Sequence, residues 1–314
     1  MKFTLATALA AFASIAYAQQ GSPVGYASQN GGTTGGKGGQ TVTVTDLAGL
    51  NAALGKKTDT AAKVIRISGM IKGSAKVYVG SNKSIIGADS GSGLEGIGLQ
   101  VGKAKNVIIQ NLKISKVVAS NGDAIGIQES TNVWVDHVDL SNDVTHDKDY
   151  YDGLLDISHA SDFVTVSNTY FHDHFKGSLV GHSDSNGAED TGKLHVTYAN
   201  NYWKNIGSRT PSFRFGTGHV INNVYEGIFT SGIDTRMGAQ MLVESTSFTG
   251  TERPLGSFNS KTTGYAVVKD VDFGGSPNSA PRGTLQSVPY SIAAVGAASA
   301  RGAVVGKAGN TLKL

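Results

Sequence analysis

The chain has 314 residues, of which 42 are glycine, 6 are proline and none is cysteine, and its formal net charge at pH 7 is +3. This composition excludes a fold stabilised by disulfides and disfavours a helical protein, because abundant glycine suits tight turns between short strands. The charge is mild and no basic helix or aromatic recognition motif accompanies it, which argues against a protein that binds nucleic acid.

The first eighteen residues have the pattern of a secretory signal peptide. Lys2 precedes a nearly uncharged apolar run over residues 5–17, and the segment ends in the small-residue cleavage pattern Ala16-Tyr17-Ala18. The run is shorter than the roughly 20 residues that a membrane span needs, and no later stretch reaches that length. We therefore predict a signal peptide at residues 1–18 and a secreted, extracellular protein of one domain, residues 19–314, with no membrane partner.

A short helix is predicted near the start of the mature chain. Leu47, Leu50, Ala53 and Leu54 recur at helical spacing, and Asp46 precedes them as a capping residue. We expect this helix to cap one end of the fold. Beyond it, short apolar strands dominate and almost no stretch has the pattern of a sustained helix.

A degenerate repeat follows this helix. Each unit places a polar residue, most often asparagine, two or three positions before a large apolar one, and the units recur every 22–32 residues. The units occupy residues 111–114, 137–140, 168–171, 200–203, 222–225, 245–248 and 270–273. Most are preceded by a strand of β-branched or apolar residues, so the repeat predicts a stack of short strands.

Strands that repeat at this period without intervening helices predict a solenoid. A leucine-rich repeat would need a stricter leucine pattern and a propeller would need about 40 residues per blade, so a parallel β-helix fits best. The recurrent asparagine predicts an internal ladder in which side-chain amides bond the neighbouring coils. The longer coils between residues 137 and 200 predict binding loops gathered on one face.

Acidic residues are concentrated in and beside those longer coils. Asp152 and Asp156 lie four positions apart, so in a strand both face the same side, and Asp123 lies about one coil earlier. Stacked strands are about 4.8 Å apart, which would let the three carboxylates meet. Oxygen ligands without cysteine favour a hard cation such as Ca²⁺. Ordinary solvated aspartates in turns are the alternative that this spacing leaves open.

A basic set lies further along the chain, formed by Lys176, Arg209 and Arg214. The two arginines flank a proline in an otherwise uncharged, aromatic stretch. Guanidinium groups bind carboxylates through paired N–H donors, so the set predicts a site for an acidic ligand. Ion pairs at the surface explain the same residues equally well.

Together these residues resemble polysaccharide lyase family 1, the pectate lyases and pectin lyases, and among them the secreted fungal pectate lyases. The resemblance runs from about residue 41 to at least residue 273, and the order and spacing of its motifs make it specific. Its motifs are Ser84-Ile-Ile-Gly87, Gly122-Asp-Ala-Ile125, Asn132-Val-Trp-Val-Asp-His137, Asp152-Gly-Leu-Leu-Asp156, Lys176-Gly and Arg209-Thr-Pro-Ser-Phe-Arg214-Phe-Gly216.

The resemblance implies an all-β fold, a single-stranded right-handed parallel β-helix with a short N-terminal capping helix. It also implies Ca²⁺ as cofactor, bound by Asp123, Asp152 and Asp156. Some bacterial relatives have Asp-x-Asp where this chain has Asn121-Gly-Asp123, so one acid is missing, which predicts either weaker calcium binding or coordination through the Asn121 amide. The implied partner is the polygalacturonate (pectate) polymer, and we expect the protein to act as a monomer.

The implied reaction is β-elimination of (1→4)-α-D-galacturonan to 4,5-unsaturated oligogalacturonides. By resemblance, Arg209 is the general base, while Lys176 and Arg214 bind substrate carboxylates and stabilise developing charge. His172 is a further predicted substrate contact. Because arginine ordinarily stays protonated up to a pH of about 12 and nearby cations oppose its charge, we predict an alkaline activity optimum.

Three other functions fit parts of the pattern. A pectin lyase shares the scaffold but acts on methyl-esterified polymer without calcium, and such enzymes typically replace the calcium ligands and carry disulfides. A hydrolase of the polygalacturonase kind would use two or three carboxylates and a water but would not need the two arginines. A non-catalytic carbohydrate-binding β-helix would bind polygalacturonate without shortening it.

Overall fold

The structure is a computed structural model that describes residues 21–314. The predicted signal peptide, residues 1–18, lies outside the described residues. Within the part of the chain that is described, the helices are all too short or too polar to cross a membrane.

Residues 21–314 contain 23 strands joined in one continuous sheet. The strands are β1 (Gln40–Val44), β2 (Lys63–Ile67), β3 (Met70–Val79), β4 (Lys83–Gly87), β5 (Gly93–Gly102), β6 (Lys105–Gln110), β7 (Lys113–Ser115), β8 (Ile125–Gln128), β9 (Thr131–Asp136), β10 (Asp139–Ser141), β11 (Leu155–Ser158), β12 (Asp162–Ser167), β13 (Tyr170–Lys176), β14 (Leu179–Val180), β15 (His195–Ala199), β16 (Tyr202–Ser208), β17 (Ser212–Arg214), β18 (Thr217–Ile221), β19 (Val224–Ile228), β20 (Ile233–Arg236), β21 (Gln240–Thr249), β22 (Leu255–Gly256) and β23 (Tyr265–Asp272). The helices are α1 (Leu47–Leu54), α2 (Gly187–Asp190) and α3 (Ala297–Val304), with two 3₁₀ turns at Gly25–Ser28 and Ala119–Asn121.

The strands stack in parallel along three faces of a coil. The first face holds the second halves of β3 and β5, followed by β8, β11, β14, β17, β20 and β22. The second face runs through β1, β2, β4, β6, β9, β12, β15, β18 and the first halves of β21 and β23. The third face holds the first halves of β3 and β5, then β7, β10, β13, β16, β19 and the ends of β21 and β23. This arrangement confirms the predicted all-β parallel β-helix.

Large apolar side chains stack in register through the interior. The rings of Phe171 and Trp203 lie 3.8 Å apart and nearly parallel, and Tyr225 and Phe248 continue the stack with a separation of 4.3 Å. All four side chains are at most 1% exposed. These four residues are the last, apolar residues of their repeat units. The apolar position of the repeat therefore lies in the interior of each of these coils. Burying such rings is the main favourable contribution to folding.

The polar residue that opens each repeat unit has the predicted role of bonding neighbouring coils and a second role in the backbone. All seven of these residues have φ between 48° and 58°, the left-handed region that asparagine tolerates better than most residues. The side-chain amides also bond the neighbouring coils: Asn222 donates to Asn200 Oδ1 at 3.0 Å, Asn168 donates to Asp136 Oδ1 at 2.8 Å, and Asn111 donates to the Gly87 carbonyl at 3.1 Å. The predicted bonding between coils is therefore confirmed for these asparagines, and the same position also makes a turn.

A continuous polar ladder runs one position later. The Oδ1 atom of Asn201 accepts from the backbone N–H of Thr169 at 2.9 Å, and the Oδ1 of Asn223 accepts from that of Asn201 at 3.2 Å. The hydroxyl of Thr246 then accepts from the backbone N–H of Asn223 at 3.3 Å. All four residues are buried, so the ladder satisfies polar groups that would otherwise be costly inside the coil.

Helix α1 covers the N-terminal end of the core, as predicted. The Asp46 side chain accepts from the backbone N–H of Gly49 at 2.7 Å, which caps the helix. Leu50 and Leu54, both in this helix, are buried against the core. At the other end of the chain, α3 packs beside β21, and Leu312 donates its N–H to Asn111 at 2.9 Å, so the tail lies back along the coils.

Candidate active site

Two loops that enter the first face bring the predicted acidic residues together. In the register of β8 and β11, Leu155 pairs with Ile125, so Asp123 and Asp152 precede neighbouring strands at the same edge. Asp156 lies in β11 between two buried neighbours and therefore points outward. All three aspartates line one open cleft of about 310 Å³.

The backbone of Gly153 passes between two of these carboxylates. Its N–H donates to Asp123 Oδ1 at 2.9 Å. A Cβ atom at this position would lie 2.5 Å from Asp156 Oδ1 and 2.9 Å from Asp123 Oδ1. Two carboxylate oxygens therefore converge where no side chain fits, which is an arrangement that suits a cation.

The charge of the cluster is poorly compensated. Burial, and then repulsion from Asp156 and Asp152, raise the pKa of Asp123 well above its usual value. Burial also raises the pKa of Asp156 to about 6, although the positive charge of Arg209 opposes that rise. A bound cation would relieve this repulsion, and the oxygen-only donor set suits Ca²⁺.

Asp152 completes the cluster only in part. Its Oδ1 lies 3.4 Å from Lys176 Nζ, and its side chain is 45% exposed. Within residues 21–314, no three acidic or histidine side chains already form a metal site. Asp152 is instead paired with the Lys176 ammonium.

Arg209 lies on the same cleft as the three aspartates, as predicted. It follows β16, its φ is 60°, and its carbonyl accepts from the N–H of Ser178 at 2.6 Å. Residues at the turns of other coils, such as Lys103 and Met237, share this left-handed conformation, so it reflects the turn and not the site. The side chain is close enough to Asp156 for its positive charge to oppose the rise in the pKa of that carboxyl.

Lys176 reaches the site through the aspartates. It ends β13, its side chain is only 14% exposed, and its Nζ contacts Asp149 at 3.3 Å as well as Asp152. Its ammonium therefore lies beside the acidic cluster, where it could act on an anionic ligand. Asp149 is a site residue that the sequence did not indicate.

Arg214 lies at the rim of the cleft. Its Nε donates to Asp184 Oδ1 at 2.5 Å and its Nη1 donates to the Gly181 carbonyl at 3.0 Å. Neighbouring strands β14 and β17 place it beside Gly181, next to His182, which does line the cleft. Arg209 therefore lines the cleft, whereas Arg214 lies beside a lining residue and is not itself part of the lining.

His172 lies apart from this cleft. It is near the start of β13 on the third face, where its ring stacks on Tyr170 with centroids 4.1 Å apart. Its Nε2 contacts Asp139 Oδ1 at 3.1 Å. Four positions along a strand separate it from Lys176, about 13 Å. His172 is not among the residues that line the cleft, and its role as a substrate contact stays a prediction.

Other cleft residues were missed from the sequence. Lys76, Gln100, Gln128 and His182 also line the cleft. Beneath it, the buried His174 contacts the carbonyl of Asp152 through Nε2 at 2.5 Å. The available signal was strand register. Lys76, Gln100 and Gln128 lie on β3, β5 and β8, which stack in that order on the first face up to β11, the strand of Asp156.

The sequence and the fold match those of known proteins. A family model described as Pectate lyase matches residues 1–312. A probable pectate lyase A of Neosartorya fischeri is 61% identical over 92% of this chain and 88% of its own length. Pectate lyase B of Colletotrichum gloeosporioides is 61% identical over 79% of this chain and 75% of its own length.

Among solved structures, the pectate lyase of Bacillus sp. N165, described in complex with trigalacturonate, is similar with a TM-score of 0.84 and 31% identity. The match covers 91% of this chain and 98% of that one. Both kinds of comparison confirm the resemblance seen in the motifs. The chain belongs to the pectate lyase family, whose members are carbon–oxygen lyases that act on polysaccharides.

Proposed function

We propose that this protein is a secreted pectate lyase that cleaves polygalacturonate by calcium-dependent β-elimination. The observation that carries the proposal is that Asp123, Asp152, Asp156 and Arg209 line a single cleft on the first face. The relatives support the same reaction, and the complex of the Bacillus enzyme with trigalacturonate supports this class of substrate.

The chemical obstacle in this reaction is the proton on C5 of a galacturonate unit. It lies next to the C6 carboxylate, whose negative charge opposes removal of a further proton. Lowering that charge in the transition state is therefore the main task of the site. Pectate lyases in general depend on calcium, and an ion held by the three aspartates would neutralise the C6 carboxylate.

The chain's own cations complete the site. Lys176, which lies beside Asp152, would bind the same sugar carboxylate from the other side. Arg209 would take the C5 proton, the electrons of the C–H bond would form the C4–C5 double bond, and the C4 glycosidic oxygen would leave and take a proton from solvent. Arg214 at the rim would hold the carboxylate of a neighbouring sugar. No water is consumed.

The proposed localisation follows from the predicted signal peptide at residues 1–18, and fungal pectate lyases are typically extracellular. We also propose that the protein works as a monomer. Recovery of activity from culture medium, and elution at the monomer size in gel filtration, would support these two statements.

An absorbance assay on polygalacturonate tests the function. Product with ultraviolet absorbance should accumulate with calcium, stop with chelator and resume when calcium is restored. Arg209→Lys should lower turnover about 10²- to 10⁴-fold, the usual contribution of a general base. Arg301→Lys is the matched control. Arg301 lies on α3, away from the cleft, and pairs with Glu226 of β19.

Each rival function gives a different result in this assay. Shortened polymer without ultraviolet absorbance would indicate a hydrolase. Binding without shortening would indicate a non-catalytic carbohydrate-binding protein. Activity on methyl-esterified polymer that chelator leaves unchanged would indicate a pectin lyase.

A further inference from the structure

We propose that Tyr78, with Lys57 and Lys103 beside it, forms a separate binding site for a distant sugar of the same polygalacturonate chain. The proposal rests on the proposed function and deepens it, because it explains how the enzyme would prefer long substrates. It follows from three features: the register of the first face, the low surface between the candidate active site and Tyr78, and the charges around Tyr78. The cavity beside Tyr78 is called the outer hollow.

Tyr78 stands in the same row of residues as Asp156. In the register of successive strands, Tyr78 pairs with Gln100, Gln100 pairs with Gly126, and Gly126 pairs with Asp156. Paired residues in adjacent parallel strands face the same side of a sheet. The ring of Tyr78 is therefore three strand spacings from Asp156, about 14 Å, a distance that several linked sugars span.

The floor between the two residues is low. Gln100 donates from Nε2 to the carbonyl of Gly126 at 3.3 Å. A Cβ atom at Gly126 would lie 2.8 Å from Gln100 Oε1. The Gln100 side chain thus lies flat over a residue that has no side chain, and nothing in this row rises between Tyr78 and the acidic cluster. A polymer lying on the cleft could continue toward Tyr78.

The outer hollow has features that suit a uronate, which is a sugar that carries a carboxylate. It measures about 210 Å³, it is lined by Tyr78, Lys57 and Lys103, and it shares Gln100 and Gln128 with the candidate active site. Tyr78 is 49% exposed and presents an aromatic surface, against which the C–H face of a sugar can pack.

Charge at this hollow favours an acidic ligand. Lys103 Nζ lies 3.5 Å from Glu129 Oε2, and their side chains are 77% and 49% exposed. Such exposed pairs contribute little, so binding a carboxylate would not require breaking a strong contact. Lys57 is also exposed. The hollow therefore offers two lysines against one glutamate.

Substrate length separates this site from the catalytic centre. Tyr78→Ala should raise KM for hexagalacturonate about two- to tenfold and leave both KM and kcat for trigalacturonate unchanged, because the shorter chain does not reach the outer hollow. Tyr78→Phe should retain the KM of the parent protein for both substrates, since the aromatic face is preserved. An equal change for both substrates, or no change for either, would overturn the proposal.

The lysines give an independent test. The double variant Lys57→Ala, Lys103→Ala should raise KM for hexagalacturonate at low salt, and the effect should shrink at high salt as charge is screened. Lys37→Ala is the matched control, because Lys37 is exposed in a segment that packs on β4 of the second face. If Lys37→Ala raised KM for hexagalacturonate as much as the double variant does, the assignment would be contradicted.

Failure of the proposed function would be distinguishable from failure of this site. If the parent protein gave no unsaturated product, the function would be wrong, and calorimetric titration with hexagalacturonate would still decide whether Tyr78→Ala weakens binding. If the parent protein were active but Tyr78→Ala bound and cleaved hexagalacturonate normally, only the outer site would be wrong.

Discussion

Replacing Asp156 with asparagine is expected to stabilise the calcium-free protein while abolishing its activity. The amide keeps the shape of the side chain and an Oδ1 atom that can accept from the N–H of Leu179, a bond of 3.0 Å in this structure. It removes one negative charge from beside Asp123 and Asp152. Asp156, which the site requires, therefore destabilises the folded protein when no cation is bound.

The magnitude follows from the pKa of Asp156, which burial raises from 3.8 to about 6. Each pKa unit corresponds to about 1.4 kcal/mol, so ionised Asp156 costs the native state about 1 to 3 kcal/mol at neutral or alkaline pH. The native state holds this proton more tightly than the unfolded chain. Stability therefore falls as pH rises between the two pKa values, and the variant should not show this loss.

Thermal unfolding with chelator, measured from pH 4 to 8, checks this expectation. Near pH 4 the two proteins should unfold at similar temperatures, and at pH 8 the variant should unfold a few degrees higher. Saturating calcium should reverse the order, because only the parent protein retains the complete ligand set and gains the full free energy of binding. Asp272→Asn, at the exposed end of β23, is the control.

The reasoning would be refuted if Asp156→Asn unfolded at a lower temperature than the parent protein in chelator at pH 8. A difference that stayed constant over the whole pH range would also refute it, because titration of the carboxyl would then not be its cause.

Three further expectations concern single residues. Gly153→Ala should weaken calcium binding about tenfold or more in a calorimetric titration, because its methyl group would displace the Asp123 and Asp156 carboxylates. His174→Ala should lower turnover about tenfold by releasing the Asp152 carbonyl, with an unchanged activity profile above pH 6, since burial lowers the pKa of His174 to about 4. Asn223→Ala should lower the free energy of unfolding by about 2 kcal/mol or more, with normal activity per folded molecule, because it interrupts the buried ladder.

These expectations have clear controls and contrary outcomes. Gly302→Ala should leave calcium binding unchanged, since no atom lies within 4 Å of a Cβ there, and equal binding by Gly153→Ala would contradict the proposed geometry. A shifted pH profile in His174→Ala would show that this histidine transfers protons. An unchanged free energy of unfolding in Asn223→Ala would show that the ladder contributes little to stability.

The fold could be predicted because one sequence feature repeats once in every coil. The apolar residue of each repeat unit occupies the same interior position, which the stacked rings of Phe171 and Trp203 demonstrate. The bonding of neighbouring coils by the recurrent asparagine was predicted, but its left-handed backbone was not, because a sequence does not separate these two reasons for asparagine to recur. Asn201, one position later, bonds the neighbouring coil without a left-handed backbone.

The candidate site could be predicted only where a motif marked it. Asp123, Asp156 and Arg209 were found through motifs and do share a cleft. Gln100 was missed because a polar residue at an outward strand position is common, and only register shows that it neighbours Gly126. His172 was predicted to contact substrate because it stands with His174 beside Asp173 in a polar stretch, and strand register, which places it on the third face, could not be seen in the sequence.

The most direct test of the account is the mass spectrum of products from polygalacturonate that carries deuterium at C5. The account predicts new chain ends that are unsaturated, that lack one water relative to hydrolysis products and that have lost the C5 deuterium, because the proposed base removes that atom. Saturated ends that retain deuterium and contain an oxygen from solvent would contradict β-elimination, and with it the role proposed for Arg209.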